Sequence, residues 1–249
     1  MYAACKRLWK SVTRDKMYVT GGIGATHMGE AFSFPFDLPN DTAYSETCAA
    51  IGLAFFARRM LEIEADSHYG DVLEQSLYNT VLSGMALDGK SFFYVNPLEV
   101  LPEACHKDQR KMHVKSVRQK WFGCACCPPN IARIVSSVAS YAYTENEDTL
   151  WTHLYMGSEV RKSVNGNAFT LSMTSKMPWS GEAQAMIETD TPVTCTLAFR
   201  IPGWSNAAKA EITTTAEVER TQEKGYVYLT GTWKDGDSVT FNFPMPVHM

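Results

Sequence analysis

The chain has 249 residues, 45% of them hydrophobic and 20% charged, with a formal net charge of −4. That length allows about one to two domains, the balance excludes a disordered chain, and no apolar run approaches the ~20 residues of a membrane-spanning helix. Nucleic acid is excluded as a partner on charge: the densest basic stretch, from Lys107 through Arg110, Lys111, Lys115 and Arg118 to Lys120, has no interleaved aromatic before Trp121 and reads as a solvated polar loop.

The first 17 residues place Ala3, Ala4, Leu8, Trp9 and Val12 in a rough helical stripe, predicting a helix. The opening segment is mixed and broken by Lys6, Arg7 and Lys10, unlike a signal peptide, so a cytoplasmic protein is expected. The run Gly21-Gly22-Ile23-Gly24 lacks the spacing of a Walker or dinucleotide loop and suits the wall of a pocket. The following stretch, 29–41, is rich in aromatics and turn formers. Glu30 lies there beside His27 and Phe32, either as a general acid with a raised pKa or as a solvated loop glutamate.

Ala50, Leu53, Ala54, Ala57, Met60 and Leu61 predict a helix over 43–65, with Glu46-Thr47-Cys48 in its first turn and Asp41 or Thr42 as cap. Val72, Leu73, Leu77, Val81 and Leu82 predict a second helix over 66–87, stopped by Asp88-Gly89. Ser91–Val95 reads as a strand that Asn96-Pro97 breaks, and Tyr94 on it is either a core aromatic or a site hydroxyl. A polar loop is expected over 105–120. Ile131, Ile134, Val135, Val138, Ala139 and Ala142 predict a helix over 130–143, with Pro128 and Pro129 at its entrance. Beyond 144–148 the pattern turns to seven short strands: 150–156, 168–173, 183–188, 194–201, 210–215, 226–230 and 238–243. They are punctuated by turns such as Asn165-Gly166 and Asp235-Gly236, and they suggest an antiparallel sandwich.

Chemistry concentrates at Cys124-Ala125-Cys126-Cys127-Pro128-Pro129-Asn130, which holds three of the seven cysteines. The cysteine spacing is irregular and the count odd, which favours reduced thiols or metal ligands over a disulfide framework. A position at a helix N-terminus favours thiolate. Glu46, Cys48, Cys126 and Cys127 together make a tetrahedral zinc set; buried inert thiols and a redox pair are the alternatives that spacing leaves open. A disulfide between vicinal cysteines is strained, which weakens the redox reading.

Gly21-Gly22-Ile23-Gly24, Gly29-Glu30-Ala31-Phe32, Asp37-Leu38-Pro39-Asn40, Tyr44-Ser45-Glu46-Thr47-Cys48-Ala49, Phe93-Tyr94-Val95-Asn96-Pro97-Leu98 and the Cys124–Asn130 run resemble, in family order, glycoside hydrolase family 127, the β-L-arabinofuranosidases. The resemblance implies a retaining glycosidase acting on an arabinofuranoside or related plant-glycan oligosaccharide. It implies zinc held by Glu46, Cys48, Cys126 and Cys127, with Cys126 as nucleophile, Glu30 as general acid/base, and Tyr94 and Cys124 near the sugar. It further implies an α+β fold: a catalytic domain over 1–145 that is the C-terminal part of an (α/α)6 barrel, then a β-sandwich domain over 146–249. About four helices precede the strands, where a whole barrel has about twelve, so an N-terminally truncated member is expected, and the last strand breaks off at Pro246-Val247-His248-Met249. A structural zinc module without turnover and a carbohydrate-binding fragment are the competing readings. No membrane partner is expected, and assembly into a homo-oligomer is left open.

Overall fold

A computed structural model describes residues 1–205 and 207–247. The chain divides into two compact units, residues 1–57 with 72–136 and residues 58–71 with 137–249. Helices and sheets are both present, as expected, with the helices early and the strands late.

The helical elements are α1 (Tyr2–Asp15), α2 (Thr47–Leu61), α3 (Ser67–Ser76) with a π-helical continuation over Leu77–Leu82, α4 (Ala104–Lys107), α5 (Cys127–Ser136) and α6 (Ala139–Ala142). The stripe that predicts α2 is its buried face: Ala50, Leu53, Ala54, Ala57, Met60 and Leu61 are each at most 3% exposed. The helix starts later than its apolar pattern suggests. Ser45 sits at φ 38°, outside helical geometry. Residues 45–47 instead bond to the chain at 94–96: Thr47 N donates to Tyr94 O at 2.9 Å, and Asn96 N donates to Ser45 O at 3.1 Å.

Those bonds also correct the strand expected at Ser91–Val95. It forms isolated bridges, Phe92 with Met85 and Gln119 and Val95 with Glu46, and joins no sheet. The basic stretch is likewise more ordered than a solvated loop: α4 and a 3-10 turn over Gln109–Lys111 fall in it, and Lys111 is buried against Asp41. The helix expected over 130–143 starts at Cys127 and splits at residues 137–138, and Tyr143 already belongs to a strand.

The glycine run packs close to backbone. Gly21 has φ +78°, and a Cβ there would lie 2.6 Å from Ser76 N. Ser76 Oγ donates to Gly21 O at 3.0 Å, and Thr80 Oγ1 donates to Thr20 O at 2.7 Å. The π-helical widening thus coincides with the docked glycine loop, a site where an extra residue per turn is commonly retained. A Cβ at Gly22 would lie 2.0 Å from Ser45 Oγ, so the run bears directly on the residue before Glu46.

The second unit holds two five-stranded sheets. One has the order β1-β2-β6-β9-β8 and the other β3-β4-β5-β10-β7. The strands are β1 (Tyr143–Glu145), β2 (Thr149–Thr152), β3 (Ser158–Val164), β4 (Asn167–Ser175), β5 (Glu182–Glu188), β6 (Val193–Arg200), β7 (Glu211–Thr214), β8 (Val218–Glu223), β9 (Tyr226–Trp233) and β10 (Ser238–Asn242). All pairings are antiparallel except β2 with β6. Leu171, Ala185 and Phe241 from one sheet and Leu197, Phe199, Leu229 and Trp233 from the other enter one buried core. The strands that hydrophobic pattern does not predict, β1, β3 and β8, are all sheet edges. Edge strands carry charge in place of apolar alternation, which discourages pairing with other chains; β8, Val-Glu-Arg-Thr-Gln-Glu, is the plainest case. β10 ends at Asn242, and of the expected C-terminal break His248 and Met249 lie outside the described residues.

Candidate active site

Four groups converge from two helix entrances. Glu46 directly precedes α2 and Cys48 is its second residue; Cys126 directly precedes α5 and Cys127 opens it. Their ligand atoms all lie within 4.8 Å of one another. Cys48 Sγ is 3.4 Å from Cys127 Sγ, Cys126 Sγ is 3.9 Å from Cys127 Sγ, and Glu46 Oε1 is 3.3 Å from Cys126 Sγ and 4.0 Å from Cys127 Sγ. A tetrahedral ion with sulfur at about 2.3 Å and oxygen at about 2.1 Å separates its ligand atoms by about 3.5–3.8 Å. The cluster is therefore already near the spacing a metal would impose, and three soft sulfurs with one carboxylate suit zinc among the divalent ions. Cys127 and Glu46 are buried and Cys126 is half-buried, so the set is held in protein but open on one side.

Local sequence explains the convergence. Pro128 and Pro129 occupy the first turn of α5, where no intrahelical N–H partner is lost and φ is already helical. Asn130, one turn in, donates from Nδ2 to Cys48 Sγ at 3.3 Å, while its Oδ1 accepts from Arg133 Nη1 at 2.8 Å. Hydrogen bonding with the Cys127 thiol, aided by the Asn130 amide, lowers the Cys48 thiol to about 7 against the opposing effect of burial. Burial pushes Cys126 up to about 12, and the Cys48 bond together with burial raises Cys127 further. A bound cation would let all three thiols ionise.

Glu30 stands at the tip of a tight turn. Thr26 and Ala31 pair across it, Ala31 N donating to Thr26 O at 3.1 Å, and Glu30 itself has φ 51°. Its carboxyl is tied back toward the thiols by two tyrosines. The Tyr44 hydroxyl donates to Glu30 Oε1 at 2.8 Å. The Tyr44 and Tyr94 rings meet edge-on with centroids 6.1 Å apart, and the Tyr94 hydroxyl lies 3.1 Å from Cys126 Sγ. Burial raises the pKa of both phenols, so they stay protonated and remain hydrogen-bond donors at neutral pH.

Of the residues singled out in the sequence, Glu46, Cys48, Cys126 and Cys127 form the cluster, Tyr94 touches it, and Glu30 joins through Tyr44. Cys124 is exposed, two residues before Cys126. Sequence reasoning passed over three neighbours. Tyr44 and Asn130 belong to the motifs Tyr44–Ala49 and Cys124–Asn130, but nothing in those runs points to their contacts. His113 lies in the stretch read as loop, stacks on His27 at 4.5 Å, sits 5.9 Å from the Tyr44 ring, and has its pKa lowered chiefly by burial. No spacing rule could have joined residue 113 to residues 27 and 44.

Known proteins resemble this chain in sequence and fold. Residues 1–140 match the family described as the β-L-arabinofuranosidase GH127 catalytic domain, and residues 149–245 match the GH127 middle domain. A non-reducing end β-L-arabinofuranosidase of Bifidobacterium longum subsp. longum is 41% identical over 231 residues, which are 90% of this chain and 34% of that protein. The crystal structure of a GH127 β-L-arabinofuranosidase from Geobacillus stearothermophilus T6 superposes with a TM-score of 0.93 at 49% identity, covering 99% of this chain and 39% of that one. A further GH127 β-arabinofuranosidase structure gives 0.87 at 34% identity, covering 98% and 39%. The chain thus spans well under half the length of each of these relatives.

Proposed function

The chain belongs to glycoside hydrolase family 127, and from that premise we propose that it carries the chemistry of a retaining glycosidase releasing β-L-arabinofuranose from arabinofuranosides, including plant-glycan oligosaccharides that bear the sugar. The observation that carries this reading is the convergence of Glu46, Cys48, Cys126 and Cys127 within 4.8 Å, with Glu30 tethered beside them through Tyr44 and Tyr94. We assign residues 1–145 to the C-terminal part of an (α/α)6-barrel catalytic domain and 146–249 to a β-sandwich domain. The unpaired cysteines suit a reducing compartment such as the cytoplasm.

Glu46, Cys48, Cys126 and Cys127 would hold zinc, which when bound keeps its thiol ligands ionised at neutral pH. Cys126 then attacks the anomeric carbon. The Sγ–carbon bond forms as the glycosidic carbon–oxygen bond breaks, and Glu30 gives its proton to the departing oxygen. In the second step water attacks the same carbon. Glu30, now a carboxylate, takes the water proton, the carbon–sulfur bond breaks and the thiolate returns. Two displacements at one carbon give net retention, with cysteine in the place of the usual second carboxylate. Glu46 is a ligand in this scheme, and Tyr94 and Cys124 face the sugar.

The test is metal analysis combined with hydrolysis of an aryl β-L-arabinofuranoside by the wild-type chain, Cys126→Ser and Glu30→Gln. About one zinc per chain in the wild type, with turnover lost in Cys126→Ser, is expected. A second reading is a structural zinc module or carbohydrate-binding fragment without turnover, and the same test separates it from the enzyme. Zinc without turnover selects it over the enzyme, and a metal-free wild type refutes both zinc readings.

A further inference from the structure

Glu30 is an exposed residue with three side-chain torsions and a backbone in the left-handed region, so the turn that carries it does not by itself aim the carboxyl. Tyr44 is its opposite. It is 8% exposed and packs in a small cluster with Val95, Cys105 and Val114. Its ring is bounded by Tyr94 at 6.1 Å and His113 at 5.9 Å. The main chain just after it is fixed where Ser45 N donates to Gly24 O at 2.8 Å. The exposed acid therefore meets a buried donor, at 2.8 Å on Oε1.

We propose that Tyr44 is a positioning residue for Glu30: its hydroxyl engages one carboxyl oxygen, so the proton exchanged with the glycoside and then with water travels on the other. This rests on the acid/base role given to Glu30 above. A phenol is a donor at neutral pH and a carboxylate oxygen accepts. With Oε1 taken, Oε2 both delivers the proton to the leaving oxygen and recovers one from the attacking water. The same bond holds Oε2 at one place relative to Cys126, whose Sγ is anchored through Tyr94 at 3.1 Å. Misplacing a reacting group by about 1 Å costs on the order of 100-fold in rate.

The test compares Tyr44→Phe, Glu30→Gln and wild type, all zinc-loaded, on two arabinofuranosides: one with an alkyl leaving group that must be protonated and one with a nitrophenyl group that departs without help. Tyr44→Phe is expected to lose about 10- to 100-fold in kcat/KM on the alkyl glycoside and to change little on the nitrophenyl one, following the pattern of Glu30→Gln in milder form. Equal losses on both substrates, or none on either, overturn the inference, because a merely structural tyrosine does not distinguish leaving groups. A leaving-group effect in Glu30→Gln without one in Tyr44→Phe overturns this inference alone. A wild type that cleaves neither glycoside, or a Glu30→Gln chain without leaving-group dependence, overturns the proposed function and this inference with it. The bond can also be read without turnover, as a slowly exchanging low-field hydroxyl proton of Tyr44 in proton NMR, displaced in Glu30→Gln. Its absence from the wild type overturns the proposal even where Tyr44→Phe fails to fold.

Discussion

A single histidine in the sandwich unit ties stability to acid. His153 is 1% exposed, with Nδ1 at 2.7 Å from the Tyr226 hydroxyl and Nε2 at 2.8 Å from Thr144 Oγ1. Burial, reinforced by the Arg200 charge, lowers its pKa from 6.5 to about 3. An unfolded chain binds a proton there near pH 6.5 while the folded one does not, so the contribution of His153 is full above pH 6.5. It then falls by about 1.4 kcal/mol per pH unit as pH drops toward 3. Urea unfolding between pH 7 and 4 should show that slope, and His153→Asn should flatten it while lowering stability at pH 7. Gly22 is the second decisive residue. Gly22→Ala forces a methyl group to within 2.0 Å of the present Ser45 Oγ position, next to Glu46. A loss of about 1–3 kcal/mol is expected, together with weaker zinc retention in a chelator competition. Unchanged zinc affinity would show that the glycine run does not support the ligand set.

At the scale of elements, the contact of the π-helical segment with the glycine loop can be tested by itself. Thr80→Val keeps shape but removes the donor to Thr20 O, leaving a carbonyl short of its partner. The cost should be about 1–3 kcal/mol in urea unfolding. The sandwich holds its own buried charge: Arg200 is 0% exposed, donates from Nε to His153 O at 2.6 Å and pairs with Asp71. Asp71→Ala removes the carboxylate that faces that guanidinium. Breaking a buried pair on one side costs about 3–5 kcal/mol, and the lower end is expected here because the Asp71 side chain is 26% exposed. These elements also mark where sequence periodicity succeeds. Every apolar residue of the α2 stripe is buried, and the seven expected strands are all present. The edge strands β1, β3 and β8 escape it because their composition answers to solvent and not to a core.

For the whole molecule, the metal set binds together segments far apart in the chain, and anything that binds only the folded form stabilises it by mass action. Zinc should therefore raise the thermal transition and a chelator lower it, with Cys48→Ser abolishing the difference; a transition indifferent to chelator in the wild type would refute the metal reading. The chain alone determined its class and named the candidate residues for its chemistry. Composition pointed to a folded chain, helical and strand periods set α before β, and ordered motifs marked Glu30, Glu46, Cys48, Tyr94, Cys124, Cys126 and Cys127. It could not decide whether the four candidate ligands meet, because residues 46 and 126 are joined only by packing. Nor could it find the contacts of Tyr44 with Glu30, of Asn130 with Cys48 and of His113 with the Ala43 carbonyl, which lie 14, 82 and 70 residues away. Periodicity records which face of an element is buried, whereas a hydrogen bond between distant segments leaves no period. Only the tertiary structure therefore decided that a buried tyrosine stands against the exposed glutamate and that three thiols and a carboxylate sit at the spacing of a metal site.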